Sequence, residues 1–262
     1  MLRPNPLRQA IAARRRAIGA WLFMAAPSNA ELLAGVAFDA LVIDQEHGPG
    51  GLESVVAQLR AAGSTQTTAP ALLTRAPDCS MAAIKPLLDA GAEGIFAPNV
   101  ESAEQVAALV EAMHYPPRGR RGLHYTVSRA AGWGRHVNEY ADHAERELLT
   151  VAMIESAAGV AAIPQMAAHG GIDMFFVGPL DLSASLGQAG DYAHPAFREA
   201  LDEAERRILE SDAALGGAIV PGQDAQALFS RGYSFVTVGA DAGFLRSAAL
   251  QALALAGADR DG

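Results

Sequence analysis

Eight short apolar runs, separated by stretches with helical spacing, dominate the 262-residue chain and leave few folds open to it. The runs are Ile18–Phe23, Leu41–Asp44, Ala71–Thr74, Gly94–Ala97, Val151–Glu155, Met174–Val177, Gly217–Val220 and Phe235–Val238. Most are apolar on both faces, a pattern that a strand shows when both sides of its sheet are covered. Intervening segments such as Glu101–Met113 and Ala196–Glu210 are rich in Ala, Leu and Glu. Strand and helix in this alternation predict an α/β chain with a parallel sheet, folded as one (β/α)8 barrel over residues 1–262. The rhythm breaks only at Pro116–Glu147, a long irregular stretch rich in Gly, Arg and aromatic residues.

Half of the chain is hydrophobic, enough for one large core, and the net charge of -9 speaks against nucleic acid or an anionic membrane as partner. Cys79 is the single cysteine, which excludes an internal disulfide framework and a thiolate zinc cluster. The chain reads as intracellular, that is, cytoplasmic. Arg14–Arg16 followed by Ile18–Ala26 imitates a secretion signal, but a first buried strand ahead of a helix start at Ser28, Asn29 and Glu31 explains it better. No run approaches the ~18 apolar residues of a membrane span.

In a barrel of this kind the reacting groups stand where strands end. Those positions hold Asp44, Glu46 and His47, then Arg75, Pro98 and Asn99, Glu155, and Gly178 to Asp181. A carboxylate surfacing from a buried strand is costly without a partner, and a divalent cation is a common one. Glu155 and Asp181 would give two oxygen ligands to Mg²⁺, Mn²⁺ or Co²⁺ and leave positions for substrate and water. Helix capping is the alternative for each of them. His47, after two carboxylates in IDQEHG, suits a general base, and Arg75 suits an anionic oxygen. Gly178 and Pro179 would expose backbone N–H groups just ahead of Asp181. Asp89 matters only if it reaches His47. Arg118, Arg120, Arg121, Arg129 and Arg135 suggest either a positive entrance for acidic substrates or packing on a neighbouring subunit. Lys85 is the only lysine and lies inside a helical stretch before Pro86, badly placed for imine chemistry.

The stretches AELLAGVAFDALVIDQEHGPG, IKPLLDAGAEGIFAPNVESAEQV, YPPRGRRG, VAMIES, IDMFFVGPLDLSASLG and FVTVGAD, in this order, resemble the HpcH/HpaI aldolase/citrate lyase family. The likeness is to its metal-dependent pyruvate aldolases. It implies a modified barrel of the phosphoenolpyruvate/pyruvate-domain type, with the last helix packed on a neighbour in a homohexamer, a trimer of dimers. It also implies Glu155 and Asp181 as ligands of a divalent metal, His47 as base, and Arg75 as the residue that steadies a pyruvate enolate. Asp89 matches a carboxylate acting through the histidine, and Asp44 an acidic neighbour in the same pocket. Gly178, Pro179, Leu180 and Ile219 fall at substrate-lining positions. Met153, Leu180 and Gln45 depart from the heptanedioate aldolase pattern, which has Gln, Ala and Gly there, so substrate identity does not follow.

The implied activity is reversible cleavage of a 4-hydroxy-2-oxo acid to pyruvate and an aldehyde. A malyl- or citramalyl-type thioester lyase of the same family is one alternative. A non-catalytic oxo-acid-binding protein is another, from a different class.

Overall fold

The computed structural model describes residues 2–64 and 69–256. Eight parallel strands close into a barrel in chain order. They are β1 (Ala17–Leu22), β2 (Ala40–Asp44), β3 (Ala71–Arg75), β4 (Gly94–Ala97), β5 (Leu149–Ile154), β6 (Met174–Val177), β7 (Ala214–Ala218) and β8 (Phe235–Ala240). The helices are α1 (Pro6–Ala12), α2 (Pro27–Ala34), α3 (Leu52–Gly63), α4 (Met81–Ala90), α5 (Ala103–Met113) and α6 (Tyr140–Glu147). The remainder are α7 (Ala157–His169), α8 (Pro179–Ser185), α9 (Pro195–Leu209), α10 (Ala225–Ser230) and α11 (Asp241–Leu255). The expected barrel is therefore present, and each of the eight runs overlaps a strand.

Alternation along each strand sorts the core into an inner and an outer part. Ala17 and Trp21, Ala40 and Val42, Leu73, Phe96, Val151 and Met153, Met174 and Phe176, and Phe235 form the inner cluster. Edge-on aromatic pairs fill its centre, with Trp21 and Phe96 centroids 5.5 Å apart and Phe96 and Phe176 5.2 Å apart. Leu7 and Ala10 of α1, which is capped by Asn5, close the N-terminal end of the same cluster. The other strand faces pack against the helices in the outer cluster.

The seventh strand begins earlier than the sequence suggests, at Ala214 rather than Gly217. Its two glycines lie inside the strand because large neighbours occupy their side-chain space. A Cβ on Gly216 would meet Met174 Sδ at 2.5 Å, and one on Gly217 would meet the Tyr233 ring at 2.5 Å. The second helix starts at Pro27 with Ala26 as its cap residue, not at Ser28 and Asn29.

No helix among the described residues is long and apolar enough to cross a membrane.

Candidate active site

Continuing the inward alternation past each strand end generates the site. Two residues beyond Val42 stands Asp44, two beyond Leu73 stands Arg75, two beyond Met153 stands Glu155, and two beyond Phe176 stands Gly178. Because Met153 pairs with Phe176 in the sheet, Glu155 and Gly178 share the next layer up. Asp44 and Arg75 are likewise partners in the β2–β3 register. The expected cluster at the C-terminal mouth thus follows from pleat and register alone.

Asp44 organises the β2 end. Its Oδ1 accepts from Arg75 Nε at 2.6 Å and from the Glu46 N–H at 3.1 Å, and its Oδ2 accepts from the His47 N–H at 3.0 Å. Arg75 is buried, and its guanidinium carbon lies 5.0 Å from the Trp21 ring centre and 5.8 Å from that of Phe23. Burial works against the guanidinium charge, but the hydrogen bond and charge of Asp44, then the charges of Glu46 and Glu155, outweigh it and hold its pKa above the ordinary value. Glu46 Oε2 sits 2.8 Å from Arg75 Nη1 as an ion pair, yet without hydrogen-bond alignment, so this buried oxygen keeps unused accepting capacity. His47 projects into solvent with its side chain 65% exposed and Nε2 3.8 Å from Glu46 Oε2.

Glu155 is buried, and its Oε2 accepts from the Asn99 N–H at 2.8 Å. Asn99 presents that N–H from a left-handed conformation, φ 47°, which Asn tolerates better than most residues. Burial above all, aided by the charges of Asp181 and Glu46, pushes the Glu155 carboxyl up to about 7, against the opposing pull of the Asn99 bond and Arg75. Neither acidic residue caps a helix. Ser156 caps α7, and α8 has Gly178 as its cap residue, with no side-chain cap bond. Asp181 lies exposed in the first turn of α8 and makes no side-chain hydrogen bond within the described residues. The capping alternatives for both fall away.

Two carboxylates near enough for the charge of Asp181 to raise the Glu155 pKa, one of them buried and reluctant to ionise alone, suit a hard divalent cation. Among the described residues no group of three or more His, Cys, Asp or Glu side chains forms a ligand set, so a cation here would take its other oxygens from substrate and water.

Not every expected residue joins this cluster. Asp89 lies in the last turn of α4, which leads down into β4 at the opposite end of the barrel, and bonds Arg121 at 2.7 Å rather than His47. Ile219 follows the end of β7 and packs against the outer, helix-facing core, because Ala214 and Ala218 take the inward places in the alternation of that strand. The arginine-rich stretch does not form an entrance to the mouth. It connects α5 to β5 at the N-terminal end, where Arg118 and Arg120 pair with Glu145 and Glu111. Met153 is buried in the inner cluster beneath Glu155, while Pro179 and Leu180 open α8 at the rim. Lys85 is exposed on α4, away from any strand end.

Sequence reasoning missed three participants. Trp21 and Phe23 read as plain core, though they flank Arg75. Cys79 served in the sequence only to exclude a disulfide framework and a thiolate zinc cluster, yet its thiol donates to the Pro98 carbonyl at 3.3 Å, next to Asn99. Burial, then the charges of Asp78, Glu46 and Glu155, push that thiol up to about 11, so it stays protonated. Its position four residues past the end of β3 was the available signal.

The HpcH/HpaI aldolase/citrate lyase family matches residues 17–248. A 4-hydroxy-2-oxovalerate aldolase of Rhodococcus jostii is 38% identical over 238 residues, covering 90% of this chain and 90% of that protein. A hydroxypyruvate/pyruvate aldolase of Pseudomonas aeruginosa is 36% identical over 241 residues, covering 92% of this chain and 88% of its own length. The crystal structure of an HpcH/HpaI aldolase/citrate lyase family protein from Burkholderia cenocepacia superposes with a TM-score of 0.90 at 34% identity, over 96% of this chain and 99% of that one. Barrel, mouth and relatives agree on one assignment: the chain belongs to the HpcH/HpaI aldolase/citrate lyase family and is a carbon–carbon lyase.

Proposed function

We propose that this lyase is a divalent-metal-dependent aldolase that reversibly cleaves a 4-hydroxy-2-oxo acid to pyruvate and an aldehyde. The charge balance of the mouth carries the reading. Asp44, Glu46, Glu155 and Asp181 are served by one buried guanidinium, Arg75, which is engaged by the first two. The remaining pair calls for a cation, with Mg²⁺, Mn²⁺ and Co²⁺ the ions whose oxygen preference fits. Bound by Glu155 and Asp181, the metal would supply electrophilic stabilisation of a developing oxyanion.

The chain's own residues supply the rest. Arg75 Nη2 has no protein partner within the described residues, so its N–H groups remain for a substrate oxygen. The Asp44 and Glu46 contacts and the Trp21 face hold that guanidinium in place, which stabilises anionic charge without reorganisation. His47, tethered through its backbone to Asp44, takes the 4-hydroxyl proton. The C3–C4 bonding pair then flows toward the 2-oxo group, the aldehyde departs, and a proton added at C3 yields pyruvate. In the reverse direction the same group removes a methyl proton from pyruvate. Oligomeric assembly through the last helix is supported by α11, whose Leu245, Leu250, Leu253 and Leu255 are all exposed in the single chain. We therefore place this helix in the contacts of a homohexamer, a trimer of dimers.

Exchange of pyruvate methyl protons for deuterium, followed by NMR with and without Mg²⁺ or Mn²⁺, tests the reading. Metal-dependent exchange that disappears in His47→Ala is expected. Exchange that survives exhaustive chelation, or a Glu155→Ala/Asp181→Ala double variant, would overturn it. Binding of pyruvate with metal but no exchange would favour an oxo-acid-binding protein instead.

A further inference from the structure

At the N-terminal end of the barrel, opposite the catalytic mouth, lies a cavity of about 660 Å³. Its wall includes Arg60 near the end of α3, Arg129 and Arg135 from the connection before α6, and Trp133. We propose that this cavity binds an organic anion bearing a planar ring, with its carboxylate or phosphate on Arg60, Arg129 and Arg135 and its ring on Trp133.

The charge argument comes first. Among the described residues none of the three arginines has an ion-pair partner, and Arg129 donates only to the Ala90 carbonyl, at 2.7 Å. The carboxylates in the same wall are already engaged. Glu93 accepts from Arg3 Nε at 2.8 Å and from the Leu72 N–H at 2.8 Å, and Glu147 accepts from the Asn5 N–H at 2.8 Å. Burial, and then the like charge of Arg60, lower the pKa of the Arg129 guanidinium. With Arg3, Arg60, Arg129 and Arg135 set against Glu93 and Glu147 in the wall, positive charge is in excess in this recess of a protein whose net charge is -9. An anion relieves that repulsion, and guanidinium forks match carboxylate and phosphate geometry.

Trp133 supplies the second, independent observation. Trp133 is 66% exposed, the one exposed Phe, Tyr or Trp among the described residues, and it makes no ring contact with another aromatic among them. Its φ is 59°, between Gly132 at 62° and Gly134 at 88°. A bulky residue in the left-handed region is disfavoured and persists where the surroundings impose it. Here the turn holds an indole outward at the margin of an arginine-lined recess, the pairing that planar anions use for stacking and charge. The volume falls in the range of about 300–1,000 Å³ typical of small-molecule sites.

The chain has two tryptophans, and Trp21 is sealed in the barrel, so quenching of intrinsic fluorescence by an added ligand reports on Trp133. The full-length protein would be titrated with benzoate, with adenosine monophosphate and with inorganic phosphate. Saturable quenching by benzoate or the nucleotide, half-maximal below about 1 mM, is expected. It should weaken at least tenfold in Arg60→Gln/Arg135→Gln, whose side chains are exposed and dispensable for packing, and the signal should vanish in Trp133→Phe. Calorimetry on Trp133→Phe should show the same ligand bound more weakly. Quenching that never saturates, or a double variant that binds as tightly as the parent, overturns the site. Phosphate binding as tightly as the nucleotide overturns the role of the ring. A double variant that binds nothing but sediments as a smaller species than the parent means that a second copy of the chain fills the cavity, and overturns the proposal as well.

Discussion

Gly178 lies directly against Glu155. A Cβ added at Gly178 would stand 2.8 Å from both Cγ and Oε1 of the glutamate. The absence of a side chain in this layer of β6 is what lets the Glu155 carboxylate stand upright between its strand and α8. Gly178→Ala is therefore expected to push the carboxylate out of position while the barrel stays folded. Metal affinity should fall roughly 10- to 100-fold, the range found when support around a metal ligand is lost. Isothermal titration with Mn²⁺, beside an unchanged far-ultraviolet spectrum, checks this. Unaltered affinity would mean that Glu155 is not a ligand.

The raised Glu155 carboxyl links stability to pH with a definite sign. Its pKa rises from an ordinary 4.5 to about 7 on folding, so between those values the folded chain binds more protons than the unfolded one. Stability then falls as pH rises through that window, and the penalty is complete above it. The shift corresponds to about 3 kcal/mol. In chelator-treated protein, Glu155→Gln should remove this contribution. The difference in unfolding free energy between variant and parent should grow from pH 4.5 to 7 and then level off. Added Mn²⁺ should restore the parent alone. Parallel pH curves for the two proteins would refute the assignment of the proton to Glu155.

Arg75 is fixed by geometry as much as by charge: Nε on Asp44, Nη1 on Glu46, and its face on Trp21. Lysine cannot reproduce two directed contacts and an aromatic face at once. Arg75→Lys is expected to lower kcat/KM by roughly 10²- to 10³-fold, as for loss of a donor to a developing oxyanion. Arg75→Gln should in addition cost about 3–5 kcal/mol of stability, because Asp44 would be left buried without a countercharge. Urea unfolding separates the two effects. A lysine variant with full activity would remove Arg75 from the chemistry.

Most of the barrel was legible because strand runs apolar on both faces encode it, and the upper layer was legible because it extends the same alternation. Asp44, Arg75 and Glu155 are inward positions of strands already recognised. What escaped depended on distance in sequence. Nothing local to Asn99 says that its N–H will reach a carboxylate 56 residues later. The partnership of Asp89 with Arg121 spans 32 residues and two elements, so a carboxylate in a motif resembling an active site turned out to bond at the other end of the molecule. Ile219 came from the family resemblance alone, and no alternation argument stood behind it: Ala214 and Ala218 face the inner cluster, so the residue after Ala218 faces the helices.

Asp89 can be tested on both counts. Within one chain it is committed to Arg121, whose guanidinium is buried and lies 4.6 Å from the Tyr115 ring centre. Asp89→Asn should lower stability by about 3 kcal/mol, since it strips a buried cation of its countercharge. Any action on His47 would have to come from a neighbouring subunit. A shifted acid limb in the pH profile of kcat/KM, with Arg121→Gln leaving that limb in place, would establish such a role. An unmoved limb in Asp89→Asn confines the residue to structure.

Leu180 is 55% exposed, beside Asp181 in the first turn of α8, and on the proposed reading its side chain would meet the aldehyde half of the substrate. A leucine there would narrow the space over Glu155 and Asp181, the proposed metal ligands, and its removal would open that space while leaving Glu155, Arg75 and His47 unchanged. A change of a few methylenes in an apolar contact is worth about 1–3 kcal/mol of discrimination. Leu180→Ala should therefore raise kcat/KM for a long acceptor such as succinic semialdehyde relative to acetaldehyde by at least about tenfold. Pyruvate proton exchange, which involves no aldehyde, should stay within about twofold of the parent, because the enolate-forming groups are unchanged. A loss of exchange would place Leu180 against the enolate instead, and an unchanged aldehyde preference would move the determinant of specificity away from α8.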